Sequence, residues 1–249
     1  MSLIHKAIGA LPRPLRRYLR HSHHVVTGKL PRNWHEMSER DDFFRKGMKL
    51  LSYNGISGDY AEFGCHGGMT FDLAWRHQRV YGPHRHQWAF DSFEGLPPQL
   101  GSEDEHPMWV AGDMSTSEAA FRARARANGL SDGDFSTVKG FYEHTIGDPA
   151  YAGPLPTDIA FAYIDCDLYS STVTVLAYLR TRMKHGMLIA FDDYFCFSST
   201  VLSGERAAML EFLAADDRFD FAPYQPFGWH GMSFIVEDKA LVARHRAGG

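Results

Sequence analysis

The chain has 249 residues, 44% of them apolar and 14% aromatic, enough for one large α/β domain with a buried core and no reason to invoke two. No apolar run approaches the roughly 18 residues of a membrane span. The start lacks the long apolar segment and small-residue cleavage site of a secretory signal, and the three cysteines form no C-x-x-C pair, so a soluble, cytoplasmic protein with reduced thiols and neither disulfide framework nor zinc knuckle is expected.

The net charge of −4 hides an asymmetry. Residues 1–35 hold Lys6, Arg13, Arg16, Arg17, Arg20, Lys29 and Arg32 with no acid, and these seven leave 19 of the 26 basic residues against all 30 acidic ones. An acidic body repels phosphate and shows no basic groove interleaved with stacking aromatics, so a nucleic-acid partner is not expected. We read residues 1–45 as a basic, partly helical N-terminal extension and 46–249 as the catalytic domain. Leu3, Ile4, Ala7, Ile8 and Leu11 repeat at helical spacing until Pro12 and Pro14 cut the helix short. Such an arm suits packing on its own domain, or on a sister subunit of a homo-oligomer, better than lying on a membrane.

Beyond the arm, strands and helices alternate. A strand at 58–63 runs into Gly64-Cys65-His66-Gly67-Gly68 and a helix at 69–80. A second strand ends at Asp91, and a long loop follows to about residue 115. Ser115 and Glu118 have capping-box spacing and predict a helix through Ala127. Strands are predicted at 135–139, 159–164 and 187–191, helices at 170–183 and 206–215, and a terminal hairpin from 219–223 and 233–236. This alternation means a mostly parallel sheet with helices on both faces.

Ligand sites of such sheets lie beyond the carboxyl ends of the strands. Three of these ends carry aspartates: Asp91, Asp165 with Asp167, and Asp192-Asp193. Glycines after the first strand let a backbone approach a ligand, but Gly64-x-x-Gly67-Gly68 is not the dinucleotide fingerprint, and no Lys or Arg is there to meet a pyrophosphate. Glu62 stands just before the turn, and Asp91 suits the two hydroxyls of a ribose. S-adenosylmethionine (SAM) combines a ribose with a cationic amino-acid moiety and so fits an acidic turn; the alternative for Glu62 is a buried partner of backbone amides. Asp165, Asp192 and Asp193 would repel one another unless a cation or a shared proton sits between them. All-oxygen ligation favours Mg²⁺ over zinc. Asp193 has the alternative of capping a helix or bonding loop amides, and Asp167 that of an N-cap before Tyr169-Ser170-Ser171.

Five blocks, in order, resemble the TylF-type macrocin O-methyltransferases. They are Gly58-Asp59-Tyr60-Ala61-Glu62-Phe63-Gly64 with Gly67-Gly68, Asp91-Ser92-Phe93-Glu94-Gly95-Leu96-Pro97, Gly140-Phe141-Tyr142 with Thr145, Asp165-Cys166-Asp167-Leu168-Tyr169-Ser170-Ser171-Thr172, and Asp192-Asp193-Tyr194. The resemblance implies a Rossmann-like SAM-dependent methyltransferase fold with a seven-stranded sheet and a C-terminal antiparallel hairpin. It implies methylation of a hydroxyl, on a sugar of a natural product or polysaccharide, with SAM and Mg²⁺. By position, Glu62, Gly64, Gly67, Asp91, Ser92 and Gly140 match the cofactor motifs, and Asp165, Asp192 and Asp193 the metal ligands. Asp165 also matches the general base.

Cys65-His66 and Trp229-His230-Gly231 depart from the family pattern, which leaves the acceptor open. His144, Asp167, Tyr194 and His230 are candidate acceptor contacts. His21, His23, His24, His84 and His86 are read as solvated loop residues, and Trp109 as part of a lid, since a long loop without regular structure is often functional. Rival classes are a catechol-type phenol O-methyltransferase, an NAD-dependent oxidoreductase and a non-catalytic SAM-binding protein. The oxidoreductase would leave the aspartate cluster unexplained.

Overall fold

The computed structural model describes residues 34–82 and 85–247. The helical spacing near the start and the histidines at 21, 23, 24 and 84 lie outside them. Contacts divide the chain between Ser38 and Glu39. Of the first unit only residues 34–38 are described, the opening turn of helix α1 (Trp34–Tyr53), in which the Ser38 hydroxyl donates to His35 O at 2.9 Å. The helix continues past the expected boundary at residue 45.

The second unit is a seven-stranded sheet with helices on both faces. In chain order it contains β1 (Asp59–Phe63), α2 (Met69–Tyr81), β2 (Gln87–Asp91), α3 (Glu118–Ala127), β3 (Phe135–Lys139), β4 (Ile159–Ile164), α4 (Tyr169–Arg180), β5 (Leu188–Phe191), α5 (Gly204–Ala215), β6 (Phe219–Phe227), β7 (Gly231–Asp238) and α6 (Lys239–Ala247). The strand order is β3-β2-β1-β4-β5-β7-β6; the first five are parallel, and β7 pairs antiparallel with both β5 and β6.

Strand alternation sorts the core into two layers. Tyr60, Phe161 and Tyr163 face one side, where Phe43 and Phe44 of α1 and Phe71 of α2 pack on them. Phe43 also stacks on Phe227 with centroids 4.2 Å apart. Gly47 lets α1 lie this close, since a Cβ there would stand 2.7 Å from the Leu188 side chain. Ala61, Phe63, Ile164 and Phe191 face the other side, against Val175, Leu176 and Leu179 of α4 and Ala208 and Met209 of α5. Burying one such large side chain contributes about 1.5–3 kcal/mol.

Several local expectations need correction. Helix α3 is capped by Ser117, whose hydroxyl accepts the Ala120 amide, not by Ser115; Glu118 instead bonds Arg122 and Thr137. Asp167 does not cap α4. Its backbone is left-handed (φ 63°), Leu168 occupies the cap position without a side-chain bond, and Asp104 reaches in from the loop after β2 to accept both the Ser170 amide and hydroxyl. The hairpin is longer than expected, with a register shift at Pro223/Gln225. Helices α1 and α6 were not among the expected elements.

Candidate active site

The strand order reverses between β1 and β4: the chain steps outward from β1 to β2 and β3, then returns to lay β4 on the other side of β1. A crevice opens at such a switch point. Backbone pairing continues past the strand ends and sets the site residues side by side. Gly140 N bonds Asp91 O at 3.0 Å, Gly64 N bonds Phe90 O at 2.8 Å, Asp165 N bonds Phe63 O at 2.8 Å and Asp192 N bonds Ile164 O at 2.8 Å. The crevice is a cavity of about 330 Å³.

One half of its wall is the glycine turn. Gly64 has φ 85°, and a Cβ on it would fall 1.8 Å from Asp165 O, so only glycine lets β1 pass the end of β4. Asp91 pins the turn: Oδ2 accepts the Cys65 and His66 amides at 2.8 and 2.9 Å, and Oδ1 accepts the Phe93 amide at 2.6 Å. Ser92 shapes the following loop by donating to Gly95 O and accepting the Glu94 amide. Gly64, Asp91, Ser92 and Gly140 all line the cavity.

Glu62 and Gly67, expected beside them, are not in the wall. Alternation along β1 turns Glu62 toward α2, where it is fully buried and accepts from the Tyr60 and Thr70 hydroxyls. Burial pushes its carboxyl up to about 8 against the pull of those two donors. Gly67 lies one residue before the left-handed Gly68 that caps α2, away from the cavity.

The other half is acidic. Carboxylate oxygens of Asp165, Asp167 and Asp193 lie within 4.8 Å of one another. Burial, reinforced by the neighbouring acids, holds all three above the usual carboxylate range. Asp192, expected in this group, is replaced there by Asp167. Its oxygens are taken by Arg40 of α1, with Nε to Oδ1 at 3.0 Å and Nη2 to Oδ2 at 2.8 Å, and by the Tyr163 hydroxyl. Asp192 and Asp193 sit in the turn that follows β5, and both carboxylates approach His230 Nδ1, Asp192 Oδ2 at 3.9 Å and Asp193 Oδ1 at 3.4 Å.

His230 completes this wall. Arg40 Nη2 stands 3.1 Å from its Nε2, and a guanidinium only donates, so Nε2 accepts and Nδ1 carries the proton. Nδ1 meets Asp192 O and lies 3.4 Å from Asp193 Oδ1. Asp193, Cys196 and His230 also cluster, but both ring nitrogens are engaged and burial pushes the Cys196 thiol up, so this second trio is a poor cation site.

Two candidate acceptor contacts are not brought to the site. His144 is exposed in the short turn Tyr142–His144, and Tyr194 is buried against Phe191, Phe234 and Arg206. Trp109 does line the cavity, packed with Leu168, Cys196 and Leu96.

Arg40 and Glu205 were missed. Each carries the signal of a charge at the head of an apolar stripe: Arg40 precedes Phe44, Gly47 and Leu51, and Glu205 precedes Ala208, Met209 and Phe212, at helical spacing.

Similar architecture is found in solved methyltransferases. The calicheamicin methyltransferase CalS11 superposes with a TM-score of 0.65 at 22% identity, over 92% of this chain and 88% of that one. The O-methyltransferase NovP gives 0.59 at 22% identity, over 79% of each chain. An O-methyltransferase from Bacillus cereus, solved with SAH, gives 0.52 at 12% identity, over 78% of this chain and 80% of that one. At these identities the likeness establishes the Rossmann-like fold. No curated protein matches the sequence. The sequence model of the TylF macrocin-O-methyltransferase family matches residues 19–215, most of the chain and all of the crevice but His230, so the chain belongs to that family and is a SAM-dependent O-methyltransferase.

Proposed function

We propose that the enzyme transfers the methyl group of SAM to a hydroxyl of a sugar, in a glycoside, oligosaccharide or macrolide-type product, with a divalent cation held by Asp165, Asp167 and Asp193. The observation that carries this reading is the convergence, within 4.8 Å on the cavity wall, of the half-buried Asp165 beside the glycine turn and the buried Asp167 and Asp193. An all-oxygen donor set of this kind suits Mg²⁺. The family's description and that of CalS11 as a TDP-rhamnose 3'-O-methyltransferase support a sugar hydroxyl as acceptor.

When bound, the cation acidifies and orients a hydroxyl that it touches. The chain's own residues do the rest. Asp91 holds the turn that the cofactor lies against. Asp165 lies at the junction of the two halves, beside Gly64, where its carboxyl can serve as the proton acceptor for the attacking hydroxyl. Arg40 neutralises Asp192, and among the described residues no Lys or Arg forms an ion pair with Asp165, Asp167 or Asp193. Bringing two reactants together in such a cleft supplies about 7–11 kcal/mol of barrier reduction.

The test is methyl transfer from labelled SAM to fractionated host extract, with and without EDTA, alongside SAM affinity. Chelation is expected to stop transfer, MgCl₂ to restore it, and SAM affinity to stay unchanged. Full turnover in excess EDTA would reject the metal. No described helix is long and apolar enough to cross a membrane. The accompanying reading of a cytoplasmic homo-oligomer is tested by fractionation and light scattering.

A further inference from the structure

Glu205 has no part in the chemistry above, yet it is fully buried in the first turn of α5, beside the acidic wall. Its two oxygens serve different loops. Oε1 accepts the amide of Cys166, the residue between Asp165 and Asp167, at 3.0 Å, and Oε2 accepts the amide of Asp193 at 2.9 Å. One side chain thus grips the backbone of both segments that carry the three carboxylates.

Its neighbours bracket the same loops. Gly204 (φ 64°) sits so close that a Cβ would stand 2.9 Å from Cys196 O and 3.4 Å from Asp167 O. The Ser203 hydroxyl accepts the Ser198 amide at 2.7 Å and donates to Glu105 O, in the long loop after β2, at 3.2 Å. The helix behind them is anchored in the core by Ala208 and Met209.

An acidic side chain in the first turn of a helix is favoured by the dipole. A buried acid beside three others is nonetheless costly, and two converging amides explain it: a carboxylate offers two acceptor atoms and no donor, which no amide side chain does.

We propose that Glu205 is a positioning residue that sets the separation of Asp165, Asp167 and Asp193, and so the fit of that trio to a divalent cation. The inference rests on the cation site proposed above. Mg²⁺ tolerates little deviation from octahedral distances of about 2.0–2.1 Å, so a small splaying of the two loops is enough to weaken it.

The test compares wild type, Glu205→Gln and Glu205→Asp. Gln keeps one acceptor and turns amide hydrogens toward the second backbone N–H; Asp keeps the charge but is one methylene short of spanning both loops. Each protein is titrated calorimetrically with MgCl₂ in the presence of SAM, and with SAM in EDTA. Both variants are expected to bind Mg²⁺ at least about tenfold more weakly while SAM affinity stays within about twofold. The MgCl₂ concentration for half-maximal methyl transfer should rise in parallel.

Wild-type Mg²⁺ affinity in both variants overturns the inference, as does an equal loss of SAM binding, which would mark a general folding role. Wild type that binds no Mg²⁺ would remove the cation site itself and both readings with it. Should Glu205→Gln not fold, Glu205→Asp alone decides.

Discussion

Replacing Arg40 with methionine tests the link on which the arrangement of the acidic wall depends. The guanidinium and the Asp192 carboxylate are both more than nine-tenths buried, with side-chain exposures of 7% and 9%, and they share two bonds of 3.0 and 2.8 Å. Hydrogen bonds to charged groups contribute about 1.5–3 kcal/mol each. Methionine fills the space but leaves Asp192, among the described residues, with the Tyr163 hydroxyl as its one side-chain donor, an uncompensated buried charge of the kind that costs about 3–5 kcal/mol.

For a chain of this size that corresponds to a fall in Tm of about 6–20 °C. Without added metal, thermal unfolding followed by circular dichroism measures the fall in Tm and urea unfolding the free-energy cost. A double-mutant cycle adds the decisive control, because Asp192→Asn removes the charge that Arg40→Met strands. The double variant should therefore be at least about 2 kcal/mol more stable than the sum of the single losses. A cost below about 1 kcal/mol for Arg40→Met, or additivity within about 0.5 kcal/mol, would refute the pairing and return Asp192 to the set of free carboxylates.

Asp91→Ala removes the acceptor of three backbone amides and is expected to weaken SAM binding at least about tenfold, read by calorimetry; unchanged affinity in a folded protein would sink the cofactor assignment. Asp165→Asn should lose about 100-fold or more in turnover even at saturating MgCl₂, because an amide offers oxygen but cannot take a proton. Recovery at high MgCl₂ would show that Asp165 only coordinates. Glu62 titrates at about 8 in the folded chain and near 4.3 when unfolded. Between those values the folded state holds a proton that the unfolded state has released, so stability falls as pH rises across that window, and Glu62→Gln should flatten the decline. Urea unfolding from about pH 5 to about pH 8 checks this; equal slopes in both proteins would show that Glu62 is not the group responsible.

Strand β4 is legible residue by residue, because a strand buried on both faces reads as a short apolar run between turn signals, as Ile-Ala-Phe-Ala-Tyr-Ile does; β3, at the sheet edge, is legible from the β-branched Thr137 and Val138 and the aromatic Phe135 in Phe-Ser-Thr-Val-Lys. The hairpin is longer than its sequence suggests. Pro223 and Pro226 read as breaks, yet β6 is an edge strand, where a missing N–H is tolerated. Helix α1 was hidden because charged residues crowd its sequence, and its apolar stripe of Phe43, Phe44, Gly47 and Leu51 means something only beside a sheet. Ser115 and Ser117 flank a single threonine, and only the bond to the Ala120 amide separates cap from neighbour.

For the site, the amino-acid sequence by itself pointed to the carboxyl ends of the parallel strands: aspartates there, and a glycine turn after the first of them. Which aspartates meet was decided by tertiary structure. The left-handed turn at Asp167 brings its carboxylate to Asp193, and Arg40, from 152 positions away, engages both oxygens of Asp192 in the turn after β5. Local patterns carry the direction of a strand and the chemistry at its end. They do not carry the partner that a folded chain sets against it, because that pairing depends on the packing of elements distant in sequence.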